Sequence, residues 1–573
     1  MKLLIVGLIL IKLSFAYGQF TSSYDTLTYN DRMHGDLDSI DIASADYPST
    51  FAGGIAMTSP HGVSTQSLFN KYTSSSFEPA LNLEKMKFSA LPHLGFSYSF
   101  GGQGSQFIRA KYLHAFSDSI NLNIDYQRNS GIGSVRNSNF SLNKVNLQFN
   151  RLGRFYSVNI QGTYFKSTTQ HSGGVLTDSL IEDFGLEFSP VNKENALATN
   201  KSGRVQITNY FDFNSNVENA FGILINNEYT IKNKVYSEFD TLFGLYNAIY
   251  IDSFSTRDQY NLAEISNGAG LFLKRKSFYV DGMVHHSYWD FQNLGEHRDT
   301  NELFFSSFLS LDWKGISIQN KLKLNIIGRF NEFRENTKVF LQRGKIDFTG
   351  QFLFEKKAPI IMQRSYFGNT NNYYLADNDL QEWTKIGIDF RYALNNKLKI
   401  STFGDLYSIP SVYLYNGSDW RLENIKSNFG RLGIRSDIEL GSFHIQPQFV
   451  YSFDDNNFLP QFQAYSRLYF QGFLFKGKKL EVAIGIDVSY LSSFDVNAYV
   501  PNMDAFDFNS TNQSFSEMSN LHAFLNLGIS EFRFFFRYEN IGYFWSDQKS
   551  VVLANYPIAG SRLRIGLTWD FFN

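Results

Sequence analysis

The sequence predicts an all-β fold, an antiparallel transmembrane β-barrel of about 20 strands, even in number and between roughly 18 and 22. Three observations point to it. Apolar and polar residues alternate over stretches of membrane-crossing length, short and long connections alternate along the chain, and no internal run is apolar enough for a helical span.

The alternation is clearest at Ile120, Leu122, Ile124 and Tyr126, which interleave with Asn121, Asn123, Asp125 and Gln127. Ile386, Ile388 and Phe390 interleave in the same way with Gly387, Asp389 and Arg391, and Leu432, Ile434, Ile438 and Leu440 with Arg431, Arg435, Asp437 and Glu439. Phe532, Phe534, Phe536 and Tyr538 face away from Arg533, Arg537 and Glu539. Neighbouring side chains on a strand point to opposite faces, so each stretch has one greasy face and one polar face. Runs of about ten to twelve residues suit a tilted strand crossing the hydrocarbon layer. The last stretch assigns Leu563, Ile565, Leu567, Trp569 and Phe571 to lipid, with Arg562, Arg564, Gly566, Thr568 and Asp570 opposite. The polar faces supply the candidate pore-lining residues: Asp125, Asp389, Arg391, Arg435, Asp437, Arg537, Glu539, Arg562 and Arg564. Their role would be electrostatic filtering, as charged rings act in pores.

The connections form the second pattern. Short turns at 117–119, 151–154, 274–277, 314–315 and 476–478 alternate with long polar stretches at about 168–203, 232–260, 291–300 and 493–519. Short periplasmic turns and long extracellular loops are the habit of outer-membrane barrels, whereas a soluble sandwich has no reason to lengthen every second connection. Residues 334–383 are the hardest to read.

The N-terminus gives the third. Lys2, the apolar run 3–11 and the small residues Ala16 and Gly18 read as a secretory signal peptide over 1–18, with Gln19 opening the mature chain. Residues 19–90 lack alternation and form an N-terminal segment, periplasmic or tucked into the lumen as a plug or hatch; 91–573 is the barrel. Lacking a helical span, a membrane-borne chain must close into a barrel to satisfy its backbone polar groups. The expected location is the cell outer membrane, reached through the secretory pathway.

Composition agrees. Hydrophobic residues are 43% of the chain but aromatics reach 17%, as expected when only alternate positions face lipid and aromatic girdles line both interfaces. A net charge of −2 argues against nucleic acid as a partner. No cysteine is present, which excludes disulfides, a thiolate nucleophile and a lipoprotein anchor. His285 and His286 are adjacent on an alternating stretch, so their rings point apart and cannot share a metal. Asp377, Asn378 and Asp379, and Asp454 with Asp455, lack the ligand spacing of a calcium loop. Gly101, Gly102 and Gly104 read as a turn, because no helix follows to complete a phosphate cradle. No nucleophile elbow, zinc-helix or P-loop motif occurs, so no catalytic residue, metal or cofactor is expected and the chain is not read as an enzyme.

The stretch 94–169, including the runs 107–114 and 121–128, and the Gly173, Gly174, Val175 stretch after the fifth strand resemble the large putative-porin family of Bacteroidota outer membranes. The resemblance implies a barrel and a channel. On this reading the leading function is passive diffusion of small hydrophilic solutes. One alternative is a hydrophobic-substrate channel resembling the fatty-acid transporters, with 19–90 as hatch and Phe304, Phe308 and Phe535 inside. Another is a structural barrel in a surface or secretion assembly. A TonB-dependent receptor fits less well, since its plug normally exceeds a hundred residues. Expected partners are outer-membrane lipid and lipopolysaccharide, the barrel-assembly machinery during biogenesis, and the solute. A homo-oligomer is compatible with the sequence, although nothing marks a subunit interface.

Overall fold

The computed structural model describes Tyr72 and residues 92–572, apart from 103, 118, 134, 178, 215–218, 241–245, 247, 329–330, 376–378, 509–512 and 546–549. The signal peptide, most of 19–90, and Asp377 and Asn378 lie outside the described residues.

Twenty-two strands close one antiparallel barrel. They are β1 His93–Gly101, β2 Gln106–Ser117, β3 Ile120–Gly131, β4 Phe140–Arg151, β5 Tyr156–Gln170 and β6 Ala196–Asp212. Then come β7 Asn219–Glu238, β8 Thr256–Arg275, β9 Phe278–Asn293, β10 His297–Trp313, β11 Ile316–Ile327 and β12 Phe333–Arg343. Next are β13 Ile346–Lys357, β14 Gln381–Asn395, β15 Leu398–Tyr415, β16 Ser427–Leu440 and β17 Phe443–Asp454. The last are β18 Phe462–Phe473, β19 Glu481–Leu491, β20 Met518–Ile529, β21 Phe532–Glu539 and β22 Arg562–Phe572. Each strand pairs with its successor, and β22 closes on β1 with His93 opposite Phe572 and Gly101 opposite Arg564. Closure leaves no unpaired edge, as a backbone surrounded by hydrocarbon requires.

The sequence pattern predicts about 20 strands and the barrel has 22, a difference with a physical reason. β12 and β13 arise from the poorly alternating region, where Glu335 and Thr337 share the outer face with Val339 and Leu341. Alternation also lapses where a strand leaves the apolar belt, since both its faces are then wet. β7 and β8 run for 20 residues each, shrinking the expected loop at 232–260 to 239–255. The expected loop at 291–300 is instead a tight connection at 294–296, its flanks continuing the β9–β10 ladder through Asp290, His297 and Asp299.

The two rims differ as the sequence implies. Connections after even-numbered strands are short: β10 and β11 join through Lys314 and Gly315, both at positive φ (46° and 87°), the backbone of a type I′ hairpin. Connections after odd-numbered strands include the long loops 171–195, 239–255, 358–380, 416–426, 492–517 and 540–561. The loop 171–195 holds α1 (Ser179–Phe184), and 358–380 holds the single turn α2 (Ile361–Arg364) and a small hairpin. β1 starts and β22 ends at the short-turn rim.

The outward faces are apolar and uncovered. Leu432, Ile434, Phe449, Tyr451, Ile386 and Ile388 are all exposed, Leu432 at 59%. Each such side chain left in water would forgo about 1.5–3 kcal/mol of burial free energy, so this surface suits a hydrocarbon surround. Among the described residues no helix is long and apolar enough to cross a membrane.

Candidate functional site: the lumen and its roof

The inner face of the barrel carries the polar set. On β21, Arg533, Arg537 and Glu539 are buried while Phe534, Phe536 and Tyr538 face out. On β22 the buried residues are Arg562, Arg564, Thr568 and Asp570, and Leu563 is exposed. Ile565, Leu567, Trp569 and Phe571 share the outward face of Leu563, and the Trp569 ring stacks on Phe532 at 4.3 Å.

The nine candidate lining residues all lie on inner-face positions, but in different surroundings. Asp125 accepts both Nε and Nη2 of Arg109, at 3.0 and 2.5 Å. Asp389 accepts from Arg435 at 2.8 Å, skipping the intervening strand. Arg391 and Asp437 are exposed towards the short-turn half of the lumen. Arg537, Glu539, Arg562 and Arg564 instead belong to a buried ion network. Glu539 accepts from Arg562 at 3.1 Å and from Arg564 at 3.0 Å, and Arg537 reaches Asp487 at 2.9 Å. Asp487 also accepts Arg467 at 2.7 Å and the Tyr465 hydroxyl at 3.0 Å. Arg467, Tyr465, Asp487 and His522 complete this seam across β18–β22, with Asp487 opposite His522 on the ladder. Alternation could place these residues inside but gave no reason to link them, because Arg537 and Asp487 meet over β20.

The inner-face aromatics carry cations. Lys323 Nζ stands 4.1 Å above Phe304, Lys321 Nζ 5.7 Å above Phe308, and Arg467 5.3 Å above Phe524. His285 is on the inner face, stacked on Phe304 at 4.5 Å and bonded to Ser306 Oγ, while His286 points out and meets Asn301. The two imidazoles diverge as the alternation requires. Asp454 caps its turn by accepting the Phe458 amide at 2.6 Å, and Asp455 accepts the Asn428 amide. Among the described residues no cluster of histidine and carboxylate ligands has the geometry of a metal site.

The long loops fold inward and form a roof over the lumen. The amide of Val175, in 171–195, donates to Asn555 O in 540–561 at 2.8 Å. Gly174 makes this approach possible: it sits at φ 82°, and a Cβ there would lie 2.3 Å from Asn555 O. Tyr250 N donates to Asn369 O at 2.8 Å, linking 239–255 to 358–380, and Asn371 Nδ2 donates to the Tyr415 hydroxyl at 2.7 Å. The loop 492–517 spans the mouth. Its Asn502 donates to Thr370 and Asn371, and its far side is held by Lys234 of β7, whose Nζ donates to Pro501 O and Asn502 O at 2.9 and 2.7 Å. Lys234 also pairs with Asp504 at 3.4 Å. β7 stands across the barrel from β19 and β20, where this loop originates, so the loop crosses the lumen.

Three apolar clusters stiffen the roof. One joins Ile409, Val412, Leu459, Phe494, Val496, Phe515, Val551 and Ile558 with Tyr72. Tyr72 stacks on Phe508 at 4.5 Å and on Phe429 at 5.8 Å, and its hydroxyl accepts from Asn456. The others gather Val175, Val191, Phe506 and Leu553, and Met362, Tyr366, Tyr373, Tyr413 and Met503. Burial in the roof pushes Asp504 up to about 7 against the pull of Lys234, and lowers His171 to about 3, with the charges of Lys234 and Lys193 adding to the effect.

Comparison with solved structures shows the fold shared with large receptor barrels. The FrpB iron transporter from Neisseria meningitidis (F5-1 variant) superposes with a TM-score of 0.56 at 8% identity, over 87% of this chain and 84% of that one. The siderophore receptor PirA from Acinetobacter baumannii gives 0.56 at 10% identity, over 85% and 81%. FpvAI in its complex with pyocin S2 gives 0.56 at 9% identity, over 85% and 74%. At such identities the likeness is one of fold. Comparison with curated proteins finds no match. The model of the family described as "Putative porin" matches residues 73–573, and with the closed barrel it makes this chain an outer-membrane β-barrel that belongs to that family.

Proposed function

We propose that this chain is a channel through which small hydrophilic solutes diffuse passively across the outer membrane, with the loop roof setting which solutes enter. The observation that carries the reading is the division of the wall: apolar outward, and amide- and charge-bearing inward around the circumference, from Asn121, Asn123 and Gln148 to Arg431, Arg435 and Arg564. A wall of that kind favours water and hydrated solutes over acyl chains. The inward aromatics Phe304 and Phe308 lie under lysines, which argues against a hydrophobic-substrate path.

In this reading residues 1–18 are removed on export, the short turns face the periplasm and the roof faces outward. Of the segment 19–90 the structure describes Tyr72, which sits within the roof cluster. Lipopolysaccharide meets the outer half of the apolar belt, and the assembly machinery reads the aromatic-rich β22. No catalytic role is proposed.

The test is single-channel conductance of the refolded mature chain in planar bilayers, beside a variant in which 497–508 is replaced by a short glycine-serine turn. Stepwise conductance in the intact protein, larger in the variant, is the expected result. Steps from the variant alone would make the roof a gate. Silence from both folded proteins would overturn the channel.

A further inference from the structure

Across β3–β6 the outward face changes character in tiers as it approaches the roof. On β5 the apolar stretch is bracketed by Tyr156 and Tyr164, both exposed, with Val158, Ile160 and Gly162 between them. A tilted stretch of that length covers most of the hydrocarbon layer, and aromatic girdles mark its two interfaces. Along the ladder the roof-side tyrosine tier reads Tyr126, Val145, Tyr164, Gly203 and Ile231. One outward position nearer the roof stand Arg128, Asn143, Lys166, Lys201 and Asn233, each opposite the next. The tier above that is Ser130, Ser141, Thr168 and Thr199.

Arg128, Lys166 and Lys201 are exposed, whereas their strand neighbours Asn129, Phe165, Ser167, Asn200 and Ser202 are buried, so the three cations point away from the lumen. The wall does not answer their charge. The outward positions of β2–β7 hold no aspartate or glutamate, and among the described residues none of the three is joined to a carboxylate. Acids beside the roof ends of these strands are engaged elsewhere: Glu194 meets Arg136 at 3.2 Å, Asp240 accepts the amides of Glu194 and Asn195, and buried Glu238 pairs with Lys193. Across the barrel the outward Lys356, at the roof end of β13, is matched by Glu382 of β14 at 3.0 Å. Lys166 and Lys201 lie directly opposite each other. Like charges so placed destabilise a strand pair, and an anion between them reverses the sign.

We propose that this arc of β3–β6 binds the phosphate groups of lipopolysaccharide in the outer leaflet. Arg128, Lys166 and Lys201 hold phosphate, the hydroxyl tier meets sugar, and Ile124, Leu147 and Val205 below the tyrosines take acyl chains. Cations at a membrane surface draw anionic lipid. A diffusible phosphate would use the cations alone, whereas a phosphorylated glycolipid uses every tier. The assignment rests on the roof facing outward, as in the reading above.

The test titrates the detergent-folded mature protein with lipid A carrying two phosphates, with its dephosphorylated form and with inorganic phosphate, and reads bound lipid by native mass spectrometry. The comparison is the triple variant Arg128→Gln, Lys166→Gln, Lys201→Gln. Lipid A is expected to bind the parent roughly tenfold or more tightly than the variant, while the dephosphorylated form binds both alike and inorganic phosphate displaces neither. Equal affinity of parent and variant, or no preference for the phosphorylated lipid, would overturn the site. Displacement of lipid A by equimolar inorganic phosphate would overturn the lipid as its occupant. Lys356→Gln, whose lysine is already paired, should bind as the parent does, and a tenfold loss there would mean that any rim cation serves and that β3–β6 is no site. Should the triple variant fail to fold, Lys201→Gln alone, which relieves the contact with Lys166, should lose roughly threefold or more. Orientation is read separately by maleimide labelling of Leu176→Cys on intact cells, since Leu176 is exposed in 171–195 and the chain has no cysteine of its own. Labelling without lipid A binding removes the site alone; binding by the purified protein without labelling removes the outward roof and with it this occupant.

Discussion

Two arcs of the same inner wall handle charge in opposite ways. Across β18–β22, Arg467, Arg537, Arg562 and Arg564 close on Asp487 and Glu539 at 2.7–3.1 Å, Arg467 half-buried and the other three buried. Across β11–β12, Lys321 and Lys323 are exposed to the lumen above Phe308 and Phe304, and Arg334 meets Glu355 of the next strand at 3.9 Å. A buried charge must be matched, because each ion removed from water costs several kcal/mol that only a partner at contact distance offsets. A solvated charge need not be. The difference separates wall that holds the barrel together from wall that a solute can use.

The largest effect is expected from Glu539→Ala. It strips the shared acceptor from Arg562 and Arg564 and leaves both guanidinium groups buried, so a loss of about 3–5 kcal/mol is expected. Urea unfolding in detergent or liposomes would read it as an earlier midpoint with loss of the compact, heat-modifiable form. A midpoint unchanged from the parent would mean that the seam is hydrated and that both arcs work alike.

The roof tests the same rule outside the membrane. Burial holds Asp504 at about 7, so between roughly 4 and 7 the docked loop keeps a proton that a released loop has lost, and docking weakens as pH rises. His171, held at about 3, runs the other way: between roughly 3 and 6.5 the released loop binds the extra proton, and docking strengthens as pH rises. In the shared window, roughly 4 to 6.5, the slopes oppose each other, and protection of the 497–508 amides should change little once intrinsic exchange is subtracted. Asp504→Asn should expose the His171 slope, with protection climbing from pH 3 to 6.5. A flat profile in that variant would show that His171 is not buried when the roof is docked.

How far these features could be read from the sequence follows from their range. Strand faces are local, so Leu563 and Arg564 could be sent to opposite sides from their own neighbours, as could His285 and His286. The belt also marks where legibility ends: β7, β8 and the β9–β10 hairpin continue beyond it with polar residues on both faces, and they read as loop. β12 reads poorly for the related reason that Glu335 and Thr337 interrupt its outer face. The roof was illegible throughout, because it depends on contacts such as Val175 with Asn555 and Lys234 with Asp504, between segments that only barrel closure brings together. Within the site, alternation identified Arg537, Glu539, Arg562 and Arg564 as inward but could not distinguish a paired, buried arginine from a free lumenal one. Lys321, Lys323 and Lys338 were missed because β11 and β12 lie in or beside the least regular stretch.

The smallest expected effect has the opposite sign from the first. Lys323→Gln removes one member of the like-charged pair with Arg334, keeps a polar side chain on the lumen, and gives up the ammonium above Phe304. Relief of the repulsion is worth about 0.2–1 kcal/mol on a strand pair, and the lost cation–π contact about 0.5–1 kcal/mol at an exposed site, so stability should stay within about 1 kcal/mol of the parent. The same unfolding assay reads it. A loss as large as that of Glu539→Ala would mean that Lys323 is a structural member of the wall, and the two arcs would cease to differ.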